Sequence, residues 1–162
     1  MKKHLSKGFT LIELLIYAGV VAVLIATFSL FIWQAVESGI KADALRETEQ
    51  NATLAMDKIT TAIKTASGIT TPGSSGEQSD YLAIAAPNPV EFRLTNGQIT
   101  IEEGSAAAVA LTSSLVQAVQ LRFTNINNSS IKIEMTINYN NPSGRPEYDA
   151  SLKLESSASL RR

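Results

Sequence analysis

Residues 9–33 read FTLIELLIYAGVVAVLIATFSLFIW, and they decide the fold. From Leu14 to Trp33 there is no charge. As a helix rising about 1.5 Å per residue, those positions span about 30 Å, the hydrocarbon thickness of a bilayer. A basic leader, MKKHLSKG, precedes the run. Positive charge before a span keeps that side cytoplasmic, so the body after Trp33 is expected outside. One residue does not suit a simple anchor. Glu13 sits near the start of the run, and a carboxylate at the centre of a membrane helix costs roughly 2.5–3.5 kcal/mol, less near an end.

Three readings compete for this segment. A cleaved secretory signal has an apolar region of roughly 7–15 residues and an A-x-A-like site after it; the run here is longer and no such site follows. A plain signal anchor fits the length and charge bias but leaves Glu13 unexplained. The third reading uses Glu13. The stretch KGFTLIELL, with its basic leader, Gly8–Phe9 junction, Thr10-Leu11-Ile12 and a glutamate four residues beyond Phe9, resembles the N-terminal signature of type IV prepilins and of the pseudopilins of type II secretion systems.

The resemblance implies a set of expectations. A prepilin peptidase cuts after Gly8. Phe9 becomes the new N-terminus and is N-methylated. The apolar segment first anchors the chain in the lipid bilayer of the cytoplasmic membrane, single-pass, and later forms the core of a pilus or pseudopilus. Partners are other pilin or pseudopilin subunits, the prepilin peptidase and the inner-membrane assembly platform. The resemblance also supplies a partner for Glu13, the α-amine of Phe9 on an incoming subunit. A free α-amine has an ordinary pKa of about 7.7–8.0 and is largely cationic at neutral pH. Two charges that are each costly in lipid become tolerable when paired. Snorkelling of Glu13 to the headgroups, one turn from the helix start, is the simpler role. The two are compatible, snorkelling before assembly and pairing after it.

Beyond Trp33 the helical pattern continues without proline. Val36, Ile40, Ala44, Thr48, Ala52, Ala55, Ile59, Ile63 and Ala66 recur at spacings of three and four, one face of an amphipathic helix. Gly68, after Lys64, marks the expected stop of a single helix from about Phe9 to Ser67. The stripe is rich in alanine and lacks a sustained heptad of large residues, which favours a covering sheet over a coiled coil. No proline precedes Pro72, so the helix-breaking proline of many type IV pilins is missing.

After a polar loop at 70–80 come strand-like runs: Tyr81–Ala85, Val90–Leu94 and Ile99–Glu102 as a hairpin about Asn96-Gly97, Val116–Asn125, Ile131–Tyr139 and an edge run at Ala150–Leu154. In Val116–Asn125, alternation places Val119, Leu121 and Phe123 inward. Residues 140–149 read as a loop. The expected fold class is α+β and pilin-like: one long N-terminal helix, its second half packed on a C-terminal antiparallel sheet of four to six strands. The domain plan is 1–8 cleaved leader, 9–33 transmembrane and filament-core helix half, 34–67 amphipathic helix half, and 68–162 sheet domain. Within the family the layout looks most like J-type minor pseudopilins and W-type minor pilins, on LRETEQNATLAMDKITTAIKTASGI, VEFRLTNGQITIEE, ALTSSLVQAVQLRF and YDASLKLESSASLRR.

Composition excludes several classes. There are 14 Lys and Arg against 15 Asp and Glu; three lysines lie in the leader, leaving 11 basic against 15 acidic side chains in the body. Such a body has no electrostatic footprint for nucleic acid, and none is expected as a partner. There is no cysteine, and the single histidine, His4, lies in the leader, so no base stands ready to activate a serine or threonine. No catalytic residues, no metal and no cofactor are expected, and the chain is read as not an enzyme. Glu102 and Glu103 point to opposite faces of a strand. Glu147 and Asp149 occupy a Pro/Gly loop. Some pseudopilins bind calcium, but these two acids lack the ligand series of a calcium loop. Arg145 and Arg161-Arg162 read as solvated. The expected function is a structural subunit of a type IV pilus-like or type II secretion filament. The alternatives are a major pilin or a monomeric membrane-anchored extracytoplasmic binding domain.

Overall fold

The computed structural model describes residues 9–161; the leader, with Gly8 of the expected cleavage site, and Arg162 lie outside the described residues. One α-helix, α1, runs Leu11–Thr65. Among the described residues nine strands follow: β1 Gly68–Thr71, β2 Gln78–Ser79, β3 Leu82–Ala85, β4 Val90–Thr95, β5 Gln98–Glu103, β6 Val109–Ala110, β7 Val116–Asn125, β8 Ser130–Tyr139 and β9 Ser151–Ser159. A single 3-10 turn, Pro146–Tyr148, precedes β9. The contacts divide the chain into two units, the first ending at Gly39 and the second beginning at Ile40.

The second unit is an α+β domain. Its strands form two antiparallel sheets, ordered β1-β3-β4-β5-β6 and β2-β7-β8-β9. The expected single sheet is therefore two. The short strands β1, β2 and β6, which lie in stretches without apolar alternation, were not anticipated. One core joins helix and sheets: Ala52, Ala55, Met56, Ile59, Ile63 and Ala66 from the helix, Leu82, Ile84, Phe92 and Ile99 from the first sheet, and Leu121, Phe123, Ile131, Ile133, Met135 and Ile137 from the second. The alanine-rich stripe thus meets sheet, as its composition favours. At its upstream end the stripe departs from expectation: Val36 is 55% exposed.

The β4–β5 hairpin turns on Asn96 and Gly97, both at positive φ, 52° and 76°. Two such residues make the turn whose twist matches paired strands. The Gly97 carbonyl also accepts the Ala118 amide at 2.8 Å, bridging the two sheets. Two sequence expectations fail here for local reasons. In β7 the pairing to β8 shifts between Ala118 and Gln120. Val119 is the extra residue of this bulge and is turned out, 50% exposed, while Ala118 and Leu121 are buried. At the helix end, the Ser67 amide and hydroxyl both donate to the Ala85 carbonyl, at 2.8 and 2.9 Å. This draws the chain into the first sheet, so the helix closes at Thr65 and Gly68 opens β1 instead of capping α1.

A polar clamp fastens the helix to the β6–β7 connection. Asn51 is buried. Its side-chain amide donates to the Glu47 carbonyl and carboxylate, each at 2.9 Å, and its oxygen accepts the Ser113 amide at 2.8 Å. The Ser113 hydroxyl donates to the Glu47 carboxylate at 3.1 Å.

Candidate functional site

Thr10 begins the first unit's helix. Its hydroxyl oxygen accepts the Glu13 amide at 3.3 Å, and its carbonyl accepts the Leu14 amide at 3.2 Å. This is an N-cap. Thr10-Leu11-Ile12-Glu13 also has the spacing of a capping box, in which the glutamate reaches back to the cap's own amide. Only the threonine half forms here. The carboxylate of Glu13 makes no hydrogen bond or ion pair among the described residues. An acid in the first turn still lies favourably in the helix dipole. The capping role of Thr10 is a feature that sequence reading missed, although the T-x-x-E spacing announces it.

Around Glu13 the surface is apolar and uncovered. Each large apolar side chain from Phe9 to Trp33 is at least half exposed, whereas Glu13 itself is half-buried. An 18-residue window of the helix reaches a mean hydropathy of 2.5 with none of it buried, so by length and composition α1 can cross a membrane. A contiguous apolar surface of this extent calls for lipid or for other helices. Phe9 leans along the same face, its ring centroid 5.8 Å from that of Tyr17, with the rings tilted by 53°.

Thr27, Ser29 and Trp33 are satisfied locally. Thr27 and Ser29 donate to the carbonyls of Val23 and Ile25, each at 2.8 Å. The Trp33 indole donates to Glu37 at 2.6 Å. Such back-bonding lets hydroxyls sit in an apolar medium without an outside partner.

Residues 3–29 match the family described as the prokaryotic N-terminal methylation motif. The chain carries a type IV prepilin-like N-terminus. The matched segment contains Gly8, Phe9, Glu13 and the first part of α1, and none of the sheet domain. Motif and apolar helix together point to membrane anchoring. No curated protein and no solved structure matched the chain.

In the second unit, the acids considered for calcium are occupied by the protein itself. Glu147 pairs with the Arg145 guanidinium, and Asp149 accepts from the Asn141 side chain at 2.9 Å. Arg145 is exposed, as read from the sequence, while its guanidinium also pairs with Glu147. Tyr139 and Tyr148 stack beside it, centroids 6.0 Å apart. Among the described residues no group of three or more His, Cys, Asp or Glu could hold a metal ion.

Proposed function

We propose that this chain is a membrane-inserted structural subunit of a type IV pilus-like or type II secretion filament, processed by prepilin peptidase between Gly8 and Phe9 and N-methylated on Phe9. The observation that carries the reading is the uncovered apolar helix with one half-buried carboxylate in its first turn that has no partner among the described residues. A lipid anchor needs the apolar surface only. A helix that trades lipid for neighbouring helices needs the surface and, with a free Phe9 ammonium, has a use for Glu13. Domain roles follow as 1–8 leader, 9–33 anchor and filament core, 34–67 amphipathic helix, and 68–162 sheet domain, with the N-terminus cytoplasmic. At finer grain the layout supports a minor pilin or pseudopilin, and the role is structural, not enzymatic.

Two measurements test this. Intact mass of the natively produced protein is expected to show loss of Met1–Gly8 and a methyl group on Phe9, and Gly8→Val is expected to block the cut. An uncut chain beside an active peptidase overturns the reading. Glu13→Ala is expected to insert and be cleaved normally, because a more apolar span inserts at least as well, and to lose filament assembly. Fewer filaments of normal length mark a priming, minor subunit; short or missing filaments mark a bulk subunit. Unchanged number and length, with the protein monomeric in the membrane, favour the anchored binding domain.

A further inference from the structure

Tyr17 stands apart from the other polar side chains of the apolar run. Thr10, Thr27, Ser29 and Trp33 each have a partner within their own helix. Among the described residues the Tyr17 hydroxyl, like the Glu13 carboxylate, has none. The two are four residues apart, hence neighbours on one helix face. A phenol hydroxyl at membrane depth is costly without a hydrogen bond. Two unpartnered polar groups side by side therefore describe one site, with an acidic acceptor and a neutral hydroxyl that both accepts and donates.

The ligand that fits is a cation with more than one N–H. An N-methylated α-ammonium carries two. A carboxylate satisfies one N–H along its charge axis, and the second needs a neutral acceptor close by, since a second acid there would repel the first. We infer that the Tyr17 hydroxyl is that second acceptor: it hydrogen-bonds the Phe9 ammonium of another subunit as that ammonium pairs with Glu13. The inference rests on the proposed function. The Phe9 ring packed beside Tyr17 in the same chain steadies the phenol on this face, so the ring and the hydroxyl have separable roles.

Tyr17→Phe removes the hydroxyl and keeps the ring. Its expected result is normal cleavage and membrane content with about tenfold fewer assembled subunits, the scale of one hydrogen bond to a charged group. A photo-reactive benzoylphenylalanine at position 17 is expected to cross-link the N-terminal peptide of another subunit, beginning at Phe9. Wild-type assembly by Tyr17→Phe, beside loss of assembly by Glu13→Ala, overturns the Tyr17 inference alone. Wild-type assembly by both variants overturns the filament reading with it. Cross-links confined to lipid, or to other parts of the neighbour, mark Tyr17 as an interfacial aromatic and also overturn the inference.

Discussion

Asn51 holds three hydrogen bonds in a position that the helix stripe alone would have given to an apolar residue. Its worth lies less in the bonds than in what their loss exposes. Asn51→Ala leaves the Ser113 amide without an acceptor in a part-buried place, at a cost of about 1–3 kcal/mol. Urea unfolding of the fragment beginning at Glu37 measures it, and a variant as stable as the parent would mean that water replaces the side chain. The surface charges act more weakly. Lys153 and Lys132, hydrogen-bonded and close in charge, hold the Glu155 carboxyl below its usual range, while Glu134, with help from Glu155, holds Lys132 above its own. For Glu155 the folded value is the lower one. Its contribution is therefore present above the ordinary glutamate value of about 4.3 and is lost as pH falls through the depressed value. For Lys132 the contribution is present below about 10.4 and lost as pH rises through the raised value. Because these groups are solvated, the effect is small. Glu155→Gln is expected to flatten slightly the fall of thermal stability between pH 5 and 3, as read by a melting series.

The second half of α1 packs through alanines. Ala52 and Ala55 are fully buried, and their small side chains set how near the helix backbone comes to the strands. Ala55→Leu adds volume where none is free and is expected to destabilise the fragment by about 1–3 kcal/mol, read from its denaturation midpoint; a neutral result would mean that the sheets shift to accept it. This stripe was legible in the sequence because period and composition agreed from Ala44 to Ala66. Asn51 and Met56 were not, since one is polar and the other sits off the strict spacing. The second sheet was legible wherever alternation held, as from Ile131 to Ile137. It failed at Val119, because a bulge adds one residue and reverses the alternation without a mark in composition. Strands of two residues, β2 and β6, carry too few side chains for any period to be read. Gly68 misled because the Ala85 carbonyl that takes the Ser67 amide and hydroxyl, and so draws the chain into β1, is 18 residues from Ser67 in sequence. At the site, Glu13 and Phe9 stood out by chemistry. Tyr17 did not, because an aromatic in an apolar run looks like more of the same until its hydroxyl is seen to lack a partner.

For the molecule as a whole, the division at Gly39–Ile40 separates a helix segment without a core from a domain with its own. The fragment from Glu37 is therefore expected to fold by itself as a soluble monomer with a cooperative thermal transition. A molten fragment would mean that the stripe needs another chain to cover it.

Within that domain nearly every pairing joins neighbours in the sequence: β3 with β4, β4 with β5, β5 with β6, β7 with β8 and β8 with β9. Of the two exceptions, β1–β3 skips one short strand, and β2–β7 ties only Gln78 to Thr124 and Ser79 to Phe123. Strand pairing is thus mostly sequential, while the core still joins the helix at Ala52–Ile63 to strands far along the chain, such as that of Ile137, so closing long loops remains part of folding. A microsecond hairpin about Asn96-Gly97 supplies a first template. The α+β domain is expected to refold within about a second after dilution from denaturant. Under the proposed function, the domain acquires its shape faster than a ribosome, at roughly 5–20 residues per second, completes the chain.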